Sequence, residues 1–132
     1  MRRNNFLLLI FISVFLWTCQ DSRFKQGEGL YEFYCASCHM VDGSGLAQLY
    51  PPLRKSDWLN EHKNQLPYVM RYGIEDTLNV NGQEYTIPMS GIPELSAVEI
   101  SNITNYILGA WGNDLGKMSF KEVQNSLAKE ER

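Results

Sequence analysis

A chain of 132 residues with 12 basic and 15 acidic side chains, net −3, has the size of one small domain and the wrong sign for a nucleic-acid binder. Setting aside the first 18 residues removes Arg2 and Arg3 but no acid, leaving ten bases against fifteen acids, a net of about −5. A core this small is marginal, so a large apolar prosthetic group or a covalent staple is expected to complete it.

Arg2 and Arg3 form a charged n-region, and Phe6 to Trp17 is a nearly unbroken apolar run of twelve residues. That pattern is an export signal. A spanning helix needs about 20 apolar residues, so the run is short for a permanent anchor, and no Ala-x-Ala site follows it. Leu16-Trp17-Thr18-Cys19 resembles a bacterial lipobox, in which residues 1–18 are cut away and Cys19 becomes the diacylated first residue. Trp17 and Thr18 are bulkier than the pattern's usual residues, and an uncleaved anchor or an incidental cysteine is the alternative. Either way the domain is expected outside the cytoplasm, in a bacterial periplasm or cell envelope, held to the membrane as a lipoprotein. Residues 19–23 read as a tether and 24–132 as the folded domain.

Phe24, Gly27, Tyr31 and Tyr34 recur at helical spacing and predict a first helix of about 22–36. It runs into Cys35-Ala36-Ser37-Cys38-His39. Two thiols spaced three apart on a helical turn point the same way, so each can bond a haem vinyl group, and the histidine that follows falls beneath the iron. His39 then supplies the proximal nitrogen. A zinc site competes poorly, because Cys19 and His62 are the only further cysteine and histidine. A thioredoxin-like pair would sit in a βαβ surround, and no strand pattern precedes Cys35. With haem on Cys35 and Cys38 and lipid on Cys19, no thiol is left over in an oxidising compartment.

Gly43-Ser44-Gly45 and Pro51-Pro52 predict irregular chain over 40–55, wrapping past the haem edge. Short helices are expected over 56–63 and from Pro67 to Tyr72, with Gly73 as the stop. Asn81-Gly82 predicts a tight hairpin with arms 78–80 and 83–87. Ser96-Ala97-Val98-Glu99 is a capping box, followed by an apolar stripe of Ile100, Ile103, Tyr106, Ile107 and Ala110 that ends near Gly112. Ser119-Phe120-Lys121-Glu122 is a second box, opening a tail helix to about residue 130 within an extension over 115–132. The fold class is thus all-α: four or five helices around a covalent haem, with one small hairpin.

A haem held by His39 alone could bind small molecules or react with peroxide, whereas a second protein ligand favours electron transfer. Met40 is too near His39 to reach the opposite face, and Met118 lies past the last main helix. Met70 sits on an expected helix, where core packing explains it. Met89 follows Pro88 in turn-rich chain, fifty residues after His39, and is the preferred ligand. His62 is its rival, although Asp57, Asn60, Glu61, Lys63 and Asn64 make that stretch polar.

Over about residues 24–112 the chain resembles class I cytochromes c, small helical monohaem electron carriers. Gly27 and Tyr31, eight and four residues before the first haem cysteine, match the positions that pack against the family's C-terminal helix. Ile103 and Tyr106 match the reciprocal pair. Met89 precedes Tyr106 by seventeen residues, as the family's axial methionine does. Pro51-Pro52-Leu53 is similar to a Pro-x-Leu segment, which implies that the Pro51 carbonyl accepts the other ring N–H of His39. The resemblance implies one covalent haem c, ligation by His39 and Met89, and exchange of single electrons with redox proteins such as a dehydrogenase, reductase or terminal oxidase. No small-molecule substrate is implied. A haem subunit of a dehydrogenase or reductase complex is the alternative, and a sensor or peroxidase with an open iron position a further one. The acidic balance leans towards a basic partner.

Overall fold

The computed structural model describes residues 21–128, with side chains from Phe24 to Ala128. The signal and Cys19 lie outside the described residues. Helix α1 (Asp21–Tyr34) is joined through Cys35 to a single turn, α2 (Ala36–His39). The amide of Cys35 still bonds the Tyr31 carbonyl at 2.8 Å and that of His39 bonds the Cys35 carbonyl at 2.9 Å, so the helical path barely breaks. Because α1 already contains Asp21, the stretch expected as a tether over 19–23 is in part helix.

Irregular chain over 40–55 leads to α3 (Asp57–His62), a 3-10 turn (Lys63–Gln65) and α4 (Leu66–Tyr72). Ser56 caps α3 by accepting from the Leu59 amide at 3.1 Å, and Pro67 sits in the first turn of α4. Strands β2 (Leu78–Val80) and β3 (Gln83–Tyr85) form the expected hairpin, its arm ending at Tyr85 rather than Ile87. Asn81 and Gly82 both have positive φ, the two-residue turn that twists with its strands. The turn is docked: Asp57 and Asn81 exchange amide-to-side-chain bonds of 3.0 and 2.7 Å. A second pair was not expected from the sequence, β1 (Gly73–Ile74) against β4 (Met89–Ser90).

Helix α5 (Ala97–Gly109) starts at the complete Ser96/Glu99 capping box. It ends three residues before the expected Gly112, because Trp111 and Gly112 turn through positive φ. That turn brings the Trp111 ring to 4.9 Å from Tyr31 and 5.3 Å from Tyr106. The Trp111 indole N–H donates to the Val41 carbonyl at 3.0 Å.

The core is the crossing of α1 over α5. A methyl group on Gly27 would land on the Asn102 carbonyl oxygen and on Cβ of Tyr106, so the two backbones approach as only glycine allows. Tyr31 and Ile103 are fully buried beside it, and Tyr31 and Tyr106 are 5.4 Å apart. The Tyr31 hydroxyl donates to the Met40 carbonyl at 2.7 Å, which satisfies it inside an apolar cluster. Burial pushes the Tyr31 phenol well above the ordinary range.

The tail is part of the fold. Asn105 and the Met118 backbone exchange bonds of 3.0 and 2.9 Å, and Lys63 Nζ donates to the Leu115 carbonyl at 2.9 Å. Helix α6 (Phe120–Leu127) opens on the complete Ser119/Glu122 box and buries Val123 and Ser126 against the domain. Gly27→Val is expected to lower stability by about 1–3 kcal/mol through overpacking, read as a lower denaturant midpoint with unchanged slope.

Candidate haem site

One cavity of about 350 Å³ gathers the sequence's site residues. Cys35, Cys38 and His39 form one wall and Pro51 to Leu53 continue it; Leu66, Val69 and Met70 come from α4, Val80 and Tyr85 from the hairpin, and Met89 and Ile92 from beyond. Most of this lining is apolar.

His39 is buried, and its Nδ1 lies 2.9 Å from the Pro51 carbonyl. A carbonyl only accepts, so Nδ1 carries the proton and Nε2 keeps its lone pair. Burial lowers the His39 pKa from its ordinary value, against the smaller opposite pull of the Pro51 bond. The ring is therefore neutral at pH 7, as a metal-ligating imidazole must be. Cys35 is buried while Cys38 is half-exposed, and both are free thiols. Burial, and then the neighbouring Cys38, push the Cys35 thiol up to about 12. Among the described residues no three His, Cys, Asp or Glu side chains gather as a metal-binding group.

The loop over 40–55 is held by its own carbonyls. Gly43 accepts from the amides of Leu53 and Arg54 at 2.8 and 2.9 Å, and His39 accepts from Gly45 at 3.0 Å. Asn113 fastens it to α5. Its carboxamide donates to the carbonyls of Leu53 and Ile107 at 3.1 and 2.8 Å and accepts from the Lys55 amide at 2.7 Å. Sequence reasoning missed Asn113, since its partners lie up to sixty positions away.

Met89 reaches the cavity on β4, opposite Ile74. A side chain on Gly73 would strike the Met89 carbonyl, and one on Gly91 would meet the backbone of Arg71 and Tyr72. These two glycines let the methionine strand lie directly on the end of α4. The Ile92 amide bonds the Met70 carbonyl at 2.9 Å, and Arg71 Nη2 donates to the Leu95 carbonyl at 2.6 Å. Met70 also lines the cavity, but it is 2% exposed and belongs to the core cluster, whereas Met89 does not. His62 is absent from the lining; it stacks on Trp58 at 4.9 Å and bonds the Trp58 carbonyl through Nδ1 at 3.0 Å.

Free thiols beside a neutral imidazole, in an apolar cavity completed from four other segments, suit a thioether-bound porphyrin. The class this defines is a helical haem c domain. The sequence profile described as Cytochrome c matches residues 24–111, and the chain belongs to that family. It is a class I monohaem cytochrome with covalently bound haem c, an electron carrier rather than an enzyme. Cytochrome c-552 of Thermus thermophilus is 32% identical over 91 residues, 66% of this chain and 70% of that protein. The cytochrome c subunit of the quinone alcohol dehydrogenase of Gluconobacter oxydans is 29% identical over 103 residues, 74% of this chain and 21% of that subunit. The fructose dehydrogenase cytochrome subunit of Gluconobacter japonicus is 31% identical over 104 residues, again 21% of its length. The chain thus spans only about a fifth of these dehydrogenase subunits.

Asn113→Ala, which strands two carbonyls and one amide, is expected to cost about 1–3 kcal/mol in chemical denaturation while haem content stays stoichiometric.

Proposed function

We propose that Cys35 and Cys38 carry the thioether bonds, that His39 and Met89 ligate the iron, and that the domain moves single electrons between extracytoplasmic redox proteins from a lipid anchor on Cys19. The observation that carries the ligand assignment is that His39 and Met89 line one cavity from separately pinned segments. When bound, the haem supplies a one-electron ferric/ferrous couple. The chain's own part is to keep His39 oriented through Pro51, to exclude water with Leu53, Leu66, Val69 and Ile92, and to present a thioether from β4. A methionine sulfur and apolar walls both favour the reduced state, so a positive reduction potential is expected.

Partners are redox proteins. The names of the Gluconobacter relatives support a dehydrogenase as electron donor, and service as the haem subunit of such a complex fits the same site. The lipid anchor rests on Leu16 to Cys19 in the sequence. Among the described residues no helix is long and apolar enough to cross a membrane. Acyl chains contribute about 0.8 kcal/mol per buried methylene, so a diacylated Cys19 would give durable attachment.

The ferric wild-type protein is expected to show the weak near-infrared band of sulfur–iron ligation and, when reduced, to resist carbon monoxide. Met89→Ala should lose the band and bind carbon monoxide, whereas Met70→Leu should keep the wild-type behaviour; the reverse pattern assigns the ligand to Met70. In a bacterial host, Cys19→Ser is expected to move the cytochrome from the membrane fraction to the soluble one. Unchanged partition contradicts the anchor.

A further inference from the structure

Among the described residues, the segment beyond α5 contributes nothing to the cavity wall, and the last lining residue is Ile107. It nevertheless buries Val123 completely, with Met118 6% and Ser126 3% exposed. It is held on α5, where Asn105 exchanges bonds with the Met118 backbone, and on α4. The Tyr72 hydroxyl, at the end of that helix, donates to the Leu127 carbonyl at 3.3 Å. Lys63, in the 3-10 turn that feeds α4, donates to the Leu115 carbonyl. Met118 and Val123 share one apolar cluster with Leu66 and Met70 of α4 and with Leu95. The same α4 is the surface on which the methionine strand is laid, through the glycine crossing, the Ile92 amide and the Arg71 side chain.

We infer that residues 115–128 form a clamp that positions Met89: by packing on α4 they hold down the strand carrying the sixth ligand, and so set how often the iron opens to an outside ligand. The inference rests on Met89 being that ligand. Local opening of a segment takes its own free energy, separate from global unfolding. Displacement of Met89 needs β4 to lift from Gly73 and Ile74, which needs α4 to give. A clamp packed on α4 raises that cost, although none of its described residues lines the cavity. Val123 and the Tyr72 hydroxyl are accordingly positioning groups.

The test uses the haem-loaded ferric protein and imidazole as probe. Imidazole binds only the open state, so its apparent affinity scales with the open fraction. In Val123→Asp, where a carboxylate replaces a buried methyl pair, the apparent Kd for imidazole is expected to fall ~10-fold or more, with native helical circular dichroism. Tyr72→Phe removes one hydroxyl and no packing; it should fold normally and tighten imidazole binding by about two- to fivefold. Wild-type affinity in folded Val123→Asp, or in Tyr72→Phe if the first variant does not fold, overturns the clamp while leaving the ligand assignment standing. A wild-type protein that lacks the sulfur–iron band overturns both.

Discussion

The approach of two backbones at Gly27 is the constraint on which the rest of this structure depends. Helix α1 delivers Cys35 and, one turn later, His39; helix α5 begins just after the segment that carries Met89. The distance between those helices is set where Gly27 meets the Asn102 carbonyl, and Tyr31, Tyr106 and Trp111 fill the space beside the crossing. Were the helices further apart, the two ends of the cavity would lose their common frame. The crossing therefore links packing to the shape of the cavity.

From that frame, the segments bearing His39 and Met89 are each fixed by hydrogen bonds to backbone carbonyls. On the proximal side the Pro51 carbonyl orients His39, and the loop bearing Pro51 is tied by Gly43 and by Asn113. On the other side β4 rests on α4 through Gly73 and Gly91. The carbonyls of Pro51 and Leu53 on one side and of Met70 and Leu95 on the other each accept a bond, so neither segment shifts without leaving one of them unpaired. An electron carrier benefits from that rigidity, because its ligands stay in place while the charge on the iron changes.

The sequence made local features legible and left long-range ones hidden. The haem motif, both capping boxes and the Asn81-Gly82 turn are short-range chemistry, and each appears where its residues place it. Helical spacing marked Gly27, Tyr31, Ile103 and Tyr106, but that the first pair packs on the second was readable only through family resemblance; the crossing bears it out. Asn113 gave no signal, because a lone asparagine after a helix reads as turn chemistry until its partners at Leu53 and Lys55 are known. The β1–β4 pair was invisible for a similar reason: two-residue strands have no period to detect. Helix α5 stops early because Trp111 turns back onto Tyr31 and Tyr106, a tertiary contact that overrides local helix preference.

The central claim is that a porphyrin lies between His39 and Met89 in the cavity framed by this crossing. A methyl group seated over the face of a diamagnetic haem feels the ring current strongly. Proton NMR of the reduced, methionine-methyl-labelled protein tests the claim most directly. One methyl resonance displaced far upfield, and missing from Met89→Leu alone among the methionine variants, is the result this account requires. A spectrum with every methionine methyl in its ordinary range, or a shifted one that survives in Met89→Leu, would contradict it.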